Sequence, residues 1–211
     1  MADHPIFTES IRRIRTLLGE TGLDPLQQQV LERLVHSSGD PGLLQLLRFS
    51  EAACDRGLAA LNNGAVILTD TAMAAAAVTP MAARTLGTSV RCLLDWAPEV
   101  SPQDSTRSAV AMLRAWPELT QVASAKGQPM PVLLVGSAPT ALEQLLDQLD
   151  AGAPAPSLVI GMPVGFVGVP ESKRHLAATA LAQIRLEGTR GGAGLVAAAA
   201  NALLRAAQAA S

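Results

Sequence analysis

Tyrosine is absent from the chain, and lysine occurs only twice, at Lys126 and Lys173. Aromatic residues make up 2% of the 211 residues. Neither a stacking platform nor a basic stripe can be built from that composition, which argues against nucleic-acid binding. The two cysteines, Cys54 and Cys92, share no short spacing, and no His, Cys and carboxylate residues cluster at metal-ligand intervals. Neither a disulfide framework nor a metal site is indicated, which suits a reducing cytoplasm. The opening "MADHPIFTES" is charged early and lacks the apolar core of a signal peptide. The apolar run from Leu195 to Ala200 is interrupted by Asn201 and Arg205, too short to span a bilayer. No membrane partner is expected.

Aliphatic residues are abundant. Hydrophobic residues are 49% of the chain and charged residues 16%, enough for a substantial core made of Ala, Leu and Val. Residues 6–20 and 25–36 read as helices. The second has Asp24 as a cap, Pro25 in its first turn, Gln27 to complete a capping box, and Gly39 just past its end. Five aliphatic runs follow, each with a turn and a helical pattern after it: 65–69, 90–94, 131–135, 157–161 and, least regular, 183–187. This alternation predicts a three-layer α/β/α fold, a parallel sheet of about five strands with helices on both faces. An N-terminal helical segment (1–60) would precede a doubly wound core (61–211), the whole forming one domain. A ligand would sit beyond the carboxyl ends of the strands. The stretch 97–108 reads as a long functional loop, and the Ala-rich tail 195–210 as a close-packing helix.

His36 stands near the end of the second helix, on the side carrying Gln29, Glu32 and Arg33 and away from Leu26, Val30 and Leu34. A solvated surface histidine is the plainer reading of a lone residue. The functional reading is a general acid, since a helix C-terminus and Glu32 one turn earlier would both favour imidazolium. Three turns follow strands: "VGSAPTALEQLL" (135–146), "IGMPVGFVGVPESK" (160–173) and "EGTRGGAG" (187–194). Glycine and proline are ordinary there. Three such turns on one rim, with Arg107, Lys173 and Arg190 nearby, also suit an acidic ligand. Familiar motifs are missing. "GTRGGAG" is not a dinucleotide fingerprint, "GVPESK" is not a phosphate loop, and "VGSAP" is not a nucleophile elbow. Asp70 and Asp95 end strands and suit catalysis; for Asp70, capping the helix begun by "TDTAM" is the plainer role.

Taken in order, "IFTESIRRIR", "RLVHSSGD", "LLRFSEAA", "GAVILTDTAM", "STRSA", "GSAPTALEQLL", "VIGMPVGFVGVPESK" and "GTRGGAGLVAAAANALL" resemble the precorrin-8X methylmutase family of cobalamin biosynthesis. The resemblance spans nearly the whole chain. It implies a flavodoxin-like fold, a homodimer with sites near the interface, and no redox or methyl-donor cofactor. It implies isomerisation of precorrin-8X, or its cobalt-bearing counterpart, to hydrogenobyrinate or cobyrinate by migration of a methyl group from ring carbon 11 to carbon 12. The family's catalytic histidine falls on His36, which would protonate the macrocycle to ease a 1,5-sigmatropic shift. Ser10 and Thr71 fall on pocket positions, and Arg107 on the arginine that meets a peripheral carboxylate. Ser137, Gly165, Lys173, Arg190, Gly191 and Gly192 fall in the ligand-holding loops.

The chain departs from the family pattern in places. Ser137 replaces an Asn, Phe7 a Tyr, "TDTAMAAAAVT" a pattern closer to "CDTxMVxxGI", and "GTRGGAG" a "GRxGGS" loop. His36 and Arg107 are retained. A non-catalytic carrier handing product to the next pathway enzyme is the alternative within the same family. An unrelated flavodoxin-like nucleotide or flavin binder is disfavoured by the missing phosphate loop and scarce aromatics.

Overall fold

The computed structural model describes residues 4–210. α1 (Pro5–Leu18) and α2 (Pro25–Ser38) form an antiparallel pair. The α2 start is the expected capping box: Asp24 Oδ1 accepts from the backbone N–H of Leu26 and Gln27, and Gln27 answers the Asp24 N–H. Gly39, with φ +69°, ends it in the left-handed conformation that glycine adopts without strain. α2 runs two residues further than the pattern indicates, so His36 lies inside its last turn.

A 3-10 turn (Pro41–Gln45) leads to β1 (Leu47–Phe49) and α3 (Ala53–Asn62). The core then alternates as expected: β2 (Ile67–Thr69), α4 (Ala72–Arg84), β3 (Val90–Cys92), α5 (Arg107–Ala125), β4 (Val132–Val135), α6 (Pro139–Asp150), β5 (Leu158–Gly161), α7 (Val169–Ala177), β6 (Gln183–Leu186) and α8 (Ala193–Ala210). The sheet order is β1-β6-β5-β4-β2-β3. β2 to β6 are parallel, and β1 pairs antiparallel with β6, Arg48 opposite Arg185. The five parallel strands have the flavodoxin-like order, with the reversal between β2 and β4.

Two details differ from the sequence reading. The N-terminal segment is not wholly helical, because β1 adds a sixth strand at the sheet edge. The apolar run 90–94 is strand only to Cys92; Leu93–Trp96 coil into a 3-10 turn that buries Leu93.

Two apolar layers sandwich the sheet. On one face α8 packs against α2, α3 and α4. Its buried Ala197, Ala198, Ala199, Ala200 and Ala202 present little bulk, so neighbouring helices can approach closely. On the other face α5, α6 and α7 cover Leu68, Leu133, Val135 and Val159. Trp116 of α5 is the largest fully buried side chain there, and its indole N–H donates to Pro154 O at 3.0 Å. Trp116→Ala would leave a large cavity and remove the bond to Pro154 O. We expect it to cost about 3–5 kcal/mol, read from the urea midpoint with an unchanged slope.

Candidate active site

The carboxyl ends of β2, β4, β5 and β6 meet in a set of interlocked turns. Met162 N–H donates to Val135 O, Val164 N–H to Gly136 O, Gly165 N–H to Thr189 O, and Gly192 N–H to Met162 O. The three glycine-rich turns seen in the sequence are therefore one rim. Contact is close at Gly191, where a Cβ would collide with the backbone carbonyls of Met162 and Pro163. Gly165 and Gly192 hold φ of +141° and +130°, which side-chain-bearing residues rarely adopt.

Lys173, expected to face the ligand, is instead buried beneath this rim. Its ammonium donates to Gly188 O at 2.9 Å and Arg190 O at 2.6 Å, fastening the β6–α8 loop. Burial pulls its pKa down to about 8. Arg190 is exposed, and its Nη1 donates to Asp40 Oδ2 at 2.8 Å. That ion pair joins the rim loop to the segment just after α2.

His36 stands four residues before Asp40. Its Nδ1 is 2.9 Å from Ser10 Oγ of α1. The Phe7 ring meets the imidazole edge-on, with centroids 5.2 Å apart. Arg33 and Arg205 in turn lie 5.0 and 5.1 Å from the Phe7 centroid. A cavity of about 600 Å³ between α1, α2 and α8 adjoins this cluster and is lined by Phe7, Ile11, Arg15, Glu32, Arg33 and Arg205 among others. The glycine rim is not part of that cavity.

The electrostatics of His36 differ from the sequence expectation. Glu32 is buried and fully engaged: Arg15 grips both its oxygens at 2.7 and 3.0 Å, and Gln28 adds a third bond. Its charge is thus offset by Arg15. Desolvation, and then the Arg33 charge, push the His36 pKa below the ordinary histidine value. A nearby anion would act in the opposite direction and favour imidazolium.

The other candidate residues are more dispersed. Thr71 caps α4, accepting from Ala74 N–H at 3.3 Å. Ser137 is half-buried in the β4–α6 turn, and its N–H donates to Asp70 Oδ2 at 2.6 Å. Asp70 does not cap α4. It reaches across to that turn, a contact that sequence reasoning missed because the partners are 66 to 68 residues apart. Arg107 opens α5, exposed, with Nε donating to Pro98 O at 2.8 Å. It stands on the opposite face of the sheet from α2 and its His36. Asp95 lies in the 3-10 turn after β3, 3.6 Å from Arg91. Among the described residues, no group of His, Cys, Asp or Glu side chains could hold a metal ion, and no helix is long and apolar enough to cross a membrane.

Replacing Arg33 by Gln removes the positive charge beside the imidazole. The His36 pKa should rise while staying below the ordinary histidine value, because the larger cause, desolvation, remains; NMR titration of the ring reads both.

Comparison with known proteins agrees with this architecture. A family profile described as precorrin-8X methylmutase matches residues 5–206. A precorrin-8X methylmutase from Pseudomonas aeruginosa is 40% identical over 207 residues, covering 94% of this chain and 93% of its own. A cobalt-precorrin-8 methylmutase from Synechocystis is 32% identical, covering 96% and 95%. The crystal structure of a precorrin-8X methylmutase from Thermus thermophilus superposes with a TM-score of 0.82 at 38% identity, covering 97% and 96% of the two chains. Family match, full-length relatives and shared fold lead to one conclusion: the chain belongs to the precorrin-8X methylmutase family.

Proposed function

We propose that this protein isomerises precorrin-8X, or its cobalt-bearing counterpart, in cobalamin biosynthesis. A methyl group moves from ring carbon 11 to carbon 12, giving hydrogenobyrinate or cobyrinate, with His36 as general acid. The observation that carries the reading is the His36–Ser10 contact, tied through Asp40 and Arg190 to the interlocked glycine rim. In the imidazolium, Ser10 accepts from Nδ1–H, which leaves Nε2–H as the proton to give. Isomerisation consumes no proton overall, so the same site must take one back.

The substrate bears many acetate and propionate groups. Arg190 and Arg107 are exposed guanidiniums suited to carboxylates. Arg190 is itself exposed, so exchanging its half-buried Asp40 partner for a ligand carboxylate costs it little. Thr71, Ser137, Gly165, Gly191 and Gly192 would line the ligand, and Lys173 would act from below by holding the rim. No redox or methyl-donor cofactor enters this scheme. The functional unit is read as a homodimer, which would let Arg107 and His36 from different subunits share one site. Ile6 and Leu17 on α1 and Phe166 and Val167 beside the rim are apolar and largely exposed, as a subunit contact would require. Sedimentation should therefore give twice the chain mass; a monomer at micromolar concentration would remove the shared-site arrangement. The protein would work in the cytoplasm and hand its labile product to the next pathway enzyme.

Two outcomes test the acid. His36→Gln should cut turnover of precorrin-8X by about 100-fold or more while leaving hydrogenobyrinate binding within about threefold. The pH profiles carry a sign. His36 must be protonated to act, so kcat/KM should fall as pH rises through its lowered free-protein pKa. A bound polyanion favours imidazolium, so kcat should fall only at a higher pH. Full activity in the Gln variant would remove His36 from the chemistry; coincident breaks would remove the coupling of ligand charge to its proton.

A further inference from the structure

Asp70 follows β2 directly at 1% exposure, and the scheme above gives it no task. Its Oδ2 accepts from the backbone N–H groups of Gly136, Ser137 and Ala138 at 2.9, 2.6 and 2.9 Å. Oδ1 is also buried and has no hydrogen-bond partner among the described residues. α6 begins at Pro139 after Ala138 and has no side-chain cap of its own. A carboxylate from just after a neighbouring strand thus holds the turn that leads into α6, across the point where the strand order reverses.

The clamped turn is coupled to both other loops. Gly136 O accepts from Val164 N–H at 3.1 Å. A Cβ on Gly136 would lie 2.7 Å from Ala193 N and 2.8 Å from Gly192 C, so the β6–α8 loop presses directly on it. The turn is held by Asp70 on one side and by two glycine loops on the other. Burial raises the Asp70 pKa and the three N–H groups oppose that rise, so removing them would leave a buried acid with no partner at either oxygen.

We infer that Asp70 is a positioning residue for the macrocycle: its carboxyl fixes the Gly136–Ala138 turn so that Ser137 and the two glycine loops meet the substrate in one arrangement. This rests on the methylmutase reading above. Asp70 touches no reacting atom; it acts through the backbone of the rim, and His36 is held separately by α1 and α2.

The test compares wild type, Asp70→Asn and Asp70→Ala by turnover of precorrin-8X and by visible-absorption titration with hydrogenobyrinate. Asn keeps a carbonyl oxygen for the three N–H groups, so KM and the product Kd should stay within about threefold of wild type. Ala removes that acceptor, and both constants should rise about tenfold or more with kcat within about threefold. A lower melting temperature for the Ala variant with unchanged KM and Kd would mean a merely structural strut and overturn the inference. A 100-fold loss of kcat in Asp70→Asn at unchanged KM would overturn it too, by making Asp70 a proton carrier. Should the Ala variant not fold, the Asn variant decides alone: a KM or Kd raised more than about tenfold contradicts rescue by a neutral acceptor. Failure of wild type to convert precorrin-8X would overturn the methylmutase reading and this inference together. Wild-type turnover with unaltered binding in Asp70→Ala would overturn this inference only.

Discussion

The placement of His36 depends on how α2 lies against α8. A helix carrying consecutive buried alanines over 197–200 offers a shallow surface, and α2 and α4 both settle onto it. Bulk at those positions would push α2 outward and carry the imidazole away from the rim. Arg205 of α8, stacked over Phe7 of α1, braces the same region from the other side. The scarcity of aromatics is thus consistent with the architecture. A core of small aliphatic residues brings three helices into close contact, and the rings of Phe7, Trp96 and Trp116 each meet a polar partner or a cation.

The proposed function draws on two pieces of geometry linked by the Arg190–Asp40 ion pair. One is a rigid backbone rim, locked by hydrogen bonds between loops and by a buried lysine whose charge is given to carbonyl oxygens. The other is a single surface imidazole whose pKa is lowered by partial desolvation and by the Arg33 charge. A polyanionic ligand changes that balance, because its carboxylates supply the negative charge the free site lacks. In the proposed scheme, substrate binding and activation of the acid would be the same electrostatic event. This arrangement would keep the acid unprotonated until a macrocycle is in place.

Much of the fold was legible in the sequence because its signals are local. Nearly continuous aliphatic runs marked the five parallel strands, and the Asp24–Gln27 box and Gly39 marked α2. β1 was hidden because three residues give no period and its pairing partner lies far along the chain. Leu93 and Leu94 extended an apolar run past the point where the backbone turns. At the site, the residue types were readable and their partners were not. Lys173 read as a free cation because burial is a tertiary property. Glu32 read as a neighbour of His36 because the Arg15 that engages it comes from another helix. Asp70 read as a local cap because the acceptor it provides serves a turn almost seventy residues away. In each case a charged group found its partner across a helix or strand boundary, which one-dimensional spacing does not encode.

The central claim is that this rim and this imidazole together turn over a tetrapyrrole. The most direct measurement is the visible spectrum of precorrin-8X incubated with a small molar fraction of the protein and no added cofactor. Isomerisation predicts that the yellow precursor is replaced completely by corrin absorption, many equivalents for each chain. A precursor spectrum that persists, or a red complex that saturates at one equivalent, would contradict it.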